Sequence, residues 1–204
     1  MNSFTVSIIV ITCIISFLSF NNRRVMDALI FYPPAVSHKY QYYRFLTCGF
    51  IHADMVHLLF NMVTLFFFGK ALENYYMGVL GLQHYYFLIL YLTSLIAASI
   101  PSYLKHRDDY NYRSLGASGA VCAVQFAFIL IDPWSKLYVW GIPMPAILFV
   151  ILFLTYSIYM SKRGGDNINH SAHLWGALYG VLFTIAARPS VVSIFIDQIR
   201  QPRF

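Results

Sequence analysis

Apolar residues in this chain come in long unbroken runs separated by polar stretches, and no alternation with a period of two is present. The runs cover roughly Phe4–Phe20, Val56–Tyr76, Tyr85–Tyr103, Ala117–Ile131, Val139–Met160 and Ala172–Ala187. A bilayer core of about 30 Å takes about 20 helical residues to cross, so several of these runs are short. Backbone groups cannot face lipid unsatisfied, and the pattern lacks barrel alternation, so all six segments predict helices. The expectation is an all-α polytopic membrane protein, a six-helix bundle forming one domain over residues 1–204. Its core lies at about 43–187, followed by a short basic tail over 188–204. The first run is read as a true span rather than a signal peptide, because Arg23 and Arg24 follow the apolar stretch instead of preceding it.

The loops differ in character. The first, from about Asn21 to Met55, is long and aromatic, with Phe31, Tyr32, Tyr40, Tyr42, Tyr43, Phe45 and Phe50. Aromatic rings favour the membrane–water boundary, so this loop is expected to lie on or partly in the membrane. The third loop, Leu104–Leu115, and the fifth, Ser161–Asn169, are polar.

Composition fits this picture. Of 204 residues, 59% are hydrophobic and 11% charged, against about half and about a quarter in soluble domains. The net charge of +6 comes from basic residues scattered between apolar runs. That arrangement suits headgroups and topology rather than nucleic acid. Cys13, Cys48 and Cys122 lack zinc or redox spacing and read as core or boundary residues.

Polar residues inside a membrane are costly, and three clusters stand out. His52, His57 and Asn61 lie at the start of the second run, and the last two are four apart on one helical face. Ser118 lies at the start of the fourth, within Gly116-Ala117-Ser118-Gly119, and His170 and His173 lie at the start of the sixth. Every span crosses, so the starts of spans two, four and six share one side, and the clusters can converge. From Ser118 to Asp132 the fourth run offers about 21 Å of helix, less than the bilayer core, which puts Ser118 below the near surface. Gly176 and Gly180 form a small-xxx-small pattern that lets another helix approach closely.

The chemistry these groups offer is nucleophilic. A serine hydroxyl needs a base to take its proton, and His173 is the candidate. The Ser118 N–H at a helix start, the His57 side chain and the Asn61 amide are candidate donors to an oxyanion. The sixth run has no acidic residue; Asp166 in the preceding loop could orient the base, but a Ser–His dyad is the simpler reading.

These motifs resemble the rhomboid intramembrane serine proteases. The resemblance rests on Arg44 in the first loop, on His52, His57 and Asn61, on Gly116-Ala117-Ser118-Gly119, and on Ala172-His173 through Gly176 and Gly180. It also includes Gly69 followed by Glu73 after the second span, and covers about Tyr43 to Ala187. It implies Ser118 as nucleophile, His173 as general base and His57 with Asn61 as oxyanion donors. His52, Arg44, Gly116, Gly119, Glu73, Gly176 and Gly180 become structural support. It implies membrane-protein substrates cut in or beside their transmembrane segments, with no metal or organic cofactor. Two positions depart from familiar members. Cys122 stands where some have a tyrosine packed on the catalytic histidine, and Tyr43 where a tryptophan often precedes the arginine.

Rival readings remain. A catalytically silent rhomboid-like factor would bind membrane proteins without cutting them. A metal site is disfavoured, since His52 and His57 point about 140° apart on a helix and no H-E-x-x-H is present. A transporter would want polar groups on both halves of the membrane. His170 is expected at a loop or rim, and His84 and His106 at the boundary. Orientation divides the signals. With the N-terminus inside, the inner segments carry Lys70, Lys136, Arg188, Arg200 and Arg203, while the other nine of the 14 Lys and Arg lie outside. The positive-inside rule prefers the reverse. The resemblance implies a cell-membrane protein whose site opens to the extracytoplasmic side, and this is the expected orientation.

Overall fold

The computed structural model describes residues 3–139, 141–163 and 168–202. The helices are α1 (Phe4–Phe20), α2 (Arg23–Leu29), α3 (Pro33–Lys39), α4 (Arg44–Thr47), α5 (Met55–Gly78), α6 (Tyr85–His106), α7 (Ser118–Ile131), α8 (Ala146–Arg163), α9 (His170–Ala187) and α10 (Val191–Arg200). A two-stranded antiparallel hairpin, β1 (Lys136–Val139) with β2 (Ile142–Pro145), precedes α8.

Local chemistry sets several helix starts. Asp54 accepts from the His57 N–H at 2.8 Å and caps α5. Asn169 accepts from the Ala172 N–H at 3.1 Å and caps α9. Side-chain acceptors at this position satisfy N–H groups that the helix itself leaves unpaired. Pro33 and Pro34 open α3, where a missing N–H costs nothing.

Three sequence expectations change, and the first loop gains internal structure. The fifth run does not begin as helix: Pro143 and Pro145 lie in β2, and α8 starts only at Ala146. Proline removes a helical donor and clashes with the preceding turn. The first loop is built of α2, α3, α4 and a 3-10 turn, Cys48–Phe50. Gly69 and Glu73 fall inside α5, which runs on to Gly78. The tail contains α10.

By length and composition α5, α6 and α8 can each cross a membrane; α9 and α10 pass that test together but are bent by 112°, and α1 and α7 are shorter apolar helices. The outer surface suits lipid. On α1 the hydroxyl residues Thr5, Thr12, Ser16 and Ser19 are buried, while Val10, Ile11, Ile14, Phe17 and Leu18 are exposed. Only Ala146 and Ser157 of α8 are buried. α7 is the axis of the bundle, buried from Gly119 to Ile129 and packed by α5, α6 and α9. At the end away from Ser118, Glu73 is 4% exposed; it accepts from the Ser3 hydroxyl and from the Thr5 N–H at 3.1 Å, and pairs with His84 at 3.3 Å. His84 is thus a half-buried partner of a carboxylate.

Candidate active site

The 14-residue α7 starts at Ser118. The strand of chain before it is held on both sides. Phe31 and Ser114 exchange backbone hydrogen bonds at 3.0 and 3.1 Å, and the Gly116 N–H donates to the Cys48 carbonyl at 2.9 Å. Gly116 has φ of 111°, and a Cβ there would lie 2.7 Å from the His57 ring. Glycine is needed both for that backbone and for the imidazole beside it.

His52 carries the next contact. Its Nε2 accepts from the Ala117 N–H at 3.3 Å. A backbone N–H can only donate, so the proton of the neutral ring sits on Nδ1, which donates to the Ser16 hydroxyl at 3.0 Å. Ser16 in turn donates to the Phe50 carbonyl at 3.0 Å. Burial, with His57 beside it, pushes His52 down to about 3, so the ring stays neutral. Its two nitrogens tie α1 and the first loop to the residue before Ser118.

Arg44 anchors the same loop. It is 7% exposed, and its guanidinium donates to the Asp27 and Ile30 carbonyls at 2.9 and 2.6 Å and to Gln41 Oε1 at 2.7 Å. These are the carbonyls that close α2, and a planar five-donor group can serve several at once.

α9 brings His173 to Ser118. Its Nε2 lies 2.8 Å from Ser118 Oγ. The approach depends on small residues: a Cβ on Gly176 would overlap the Gly119 carbonyl oxygen, and one on Gly180 would overlap that of Ala123. On its other side Gly119 faces Ala98, whose Cβ would sit 2.7 Å from an added one.

Ser118, His173, His57 and Asn61 all line one cavity of about 1090 Å³. The Asn61 amide donates one hydrogen to the His57 carbonyl at 2.9 Å, leaving its second N–H for another acceptor. As the first residue of α7, Ser118 has no helical partner for its own N–H. Among the described residues no group of three or more His, Cys, Asp or Glu is arranged to hold a metal ion. Asp166 lies outside the described residues.

Three further residues shape the site. Phe153 of α8 sits with its ring centroid 6.0 Å from that of His173, and it also packs against the buried cluster of Cys122, Phe126 and Ala177. His170 is 4% exposed, with its ring 5.9 Å from His173 and covered by Tyr156 at 5.6 Å. It is the first residue of α9 and faces inward, not at a rim. Asn169 also reaches the Ser102 and Tyr112 hydroxyls at 3.0 Å and that of Ser114 at 3.3 Å, linking α6, the third loop and α9. An asparagine just before a helical run is a capping signal that could have marked it. Phe153 lies in a uniformly apolar run and carries no such mark.

A family model described as Rhomboid domain matches residues 39–190. The chain is 32% identical over 175 residues to RHOMBOID-like protein 12, mitochondrial, of Arabidopsis thaliana, covering 78% of this chain and 47% of that protein. It is 31% identical over 144 residues to Putative rhomboid protease YdcA of Bacillus subtilis, covering 71% and 66%. Against Rhomboid protease GluP of the same bacterium it is 31% identical over 149 residues, covering 72% and 26%. The chain thus spans between about a quarter and two thirds of the length of these relatives. Matched along most of its length by the family model and built from apolar helices, the chain is an integral membrane protein and belongs to the rhomboid family.

Proposed function

We propose that the chain is an intramembrane serine endopeptidase, cutting membrane-protein substrates in or beside their transmembrane segments. The observation that carries this reading is the 2.8 Å contact between Ser118 Oγ and His173 Nε2 at the start of α7, inside an open cavity. Unprotonated Nε2 takes the hydroxyl proton as Oγ bonds to the substrate carbonyl carbon. The carbonyl oxygen becomes an oxyanion, stabilised by the Ser118 N–H, the free Asn61 N–H and the His57 side chain. Collapse breaks the C–N bond, and His173 returns its proton to the leaving amine. Water from the cavity then attacks the acyl-enzyme, with His173 again as base, and frees the new carboxylate and Ser118.

His52, Arg44, Glu73 and the glycines hold this geometry. Phe153 and His170 take the supporting place beside His173 that Cys122 is too small to fill. All six long helices cross the membrane in this reading, and the cavity opens on the extracytoplasmic side of the cell membrane. A tag on the C-terminus, protected from protease in intact spheroplasts, is expected for that orientation.

A fluorophosphonate probe tests the chemistry. Labelling at Ser118 that disappears in His173→Ala is the expected result. Cleavage of a membrane-spanning reporter that persists in Ser118→Ala would overturn it. No labelling and no cleavage alongside retained substrate binding would favour the silent binding factor instead.

A further inference from the structure

At the membrane end opposite Ser118, α9 gives way to α10 through a bend of 112°. α9 runs along the bundle, so α10 runs roughly across it, near the plane of the bilayer. It packs under α7 and α9, with Val191 fully buried and the Trp134 indole donating to the Gln198 carbonyl at 2.7 Å.

Successive helical residues are about 100° apart, which divides α10 into three faces. Val191, Ile194 and Gln198 face the bundle. Val192, Ile196 and Ile199 fall together on a second face and are exposed by 39%, 43% and 38%. Ser193, Asp197 and Arg200 fall on the third and are exposed as well. A helix in water has no use for the second face, and a spanning helix has none for the third. A helix lying at the boundary of lipid and water uses both, with the remaining side on the protein.

The surroundings agree. The β1–β2 hairpin at the same end exposes Tyr138 by 74% and Ile142 by 63%. The charged groups exposed there include Lys136, Arg188 and Arg200 beside Asp197, a balance that favours anionic headgroups.

We propose that α10, with the adjoining hairpin, is an interfacial anchor that seats Val192, Ile196 and Ile199 among the acyl chains of the leaflet opposite the active site, while Arg188 and Arg200 engage anionic lipid headgroups. The anchor fixes the depth and tilt of α9 and hence of His173 at its far end.

Spin labels on the full chain test this. Ile196→Cys, Ile199→Cys, Ser193→Cys and Asp197→Cys are made in a Cys13→Ser background, with the unsubstituted background labelled as the blank. In phosphatidylcholine–phosphatidylglycerol vesicles, labels at 196 and 199 should collide severalfold more with oxygen than with a water-soluble nickel chelate. Labels at 193 and 197 should show the reverse. Nickel access at 196 and 199 equal to that at 193 would overturn the anchor. So would low access to both reagents with label–label broadening, which would mark a second copy on that face. Removing phosphatidylglycerol should make the 196 label shallower, and Arg188→Gln with Arg200→Gln should abolish that lipid dependence. The same depth in both lipid mixtures would overturn the headgroup assignment.

Discussion

Gly176 of α9 and Gly119 of α7 meet backbone to backbone, with no room between them for a single methyl group. Four residues on, Gly180 meets Ala123 in the same way. These two contacts set the separation of the helices that carry His173 and Ser118. Gly176→Ala and Gly180→Ala should each push α9 outward. Overpacking typically costs about 1–3 kcal/mol, and a shift of about 1 Å at the reacting atoms can cost about 100-fold in rate. Unfolding in mixed detergent and reporter cleavage measure the two effects, and Gly180→Ala, farther from the dyad, should lose less rate for the same loss of stability.

The dyad should behave as a unit. Ser118→Ala and His173→Ala should each lower kcat by about 10⁴-fold or more, and the double variant should be little worse than either. Near-normal unfolding midpoints alongside that loss would separate chemistry from folding. Additive losses would mean that the two side chains act independently.

Asn61 has one hydrogen committed to the His57 carbonyl and one available for an oxyanion. Asn61→Ala should lower kcat by about 10²–10³-fold with KM little changed, as removal of one oxyanion donor does elsewhere. A change confined to KM would assign Asn61 to ground-state binding instead.

Phe153 faces the imidazole of His173 from α8. Phe153→Leu keeps most of the volume and loses the ring face. Aromatic pairing is worth about 0.5–1.5 kcal/mol beyond burial, so kcat should fall by at most about tenfold. Fluorophosphonate labelling rates offer a second readout, and an unchanged rate would show that the ring only fills space.

What could be read from the sequence divides along physical lines. Counting six apolar runs as spans predicts that Ser118, His57 and His173 share one end, and the structure brings all three to one cavity. The pairing of Gly176 with Gly119 is half legible: small residues announce close approach but not the partner. Phe153 and His170 are not legible as neighbours of His173. Lipid is as apolar as the bundle interior, so hydropathy does not say which face of α8 turns inward. Pro143 and Pro145 mark the hairpin before α8, but the apolar residues around them hide it in the run. α10 is not legible as a separate element, because its three faces average to an unremarkable tail.

His52 supplies a pH dependence with a definite sign. Its ring is neutral in the folded protein, with the value pushed down to about 3 by burial and by His57, against 6.5 for an ordinary imidazole. Between those values the unfolded chain binds a proton that the folded chain does not. Stability therefore rises with pH through that window and is fully present above about 6.5. Acidification from pH 6.5 should cost up to about 1.4 kcal/mol per unit from this residue until it levels off near pH 3. His52→Gln can still accept from the Ala117 N–H and donate to Ser16, but it does not titrate. Unfolding midpoints of the two proteins compared from pH 7.5 to 4.5 isolate the contribution, since every other titrating group is common to both. The difference should grow in favour of the glutamine variant as pH falls. A constant difference across that range would mean that His52 takes up a proton as readily in the folded as in the unfolded chain, so that the Ala117 N–H bond to Nε2 does not hold the ring neutral.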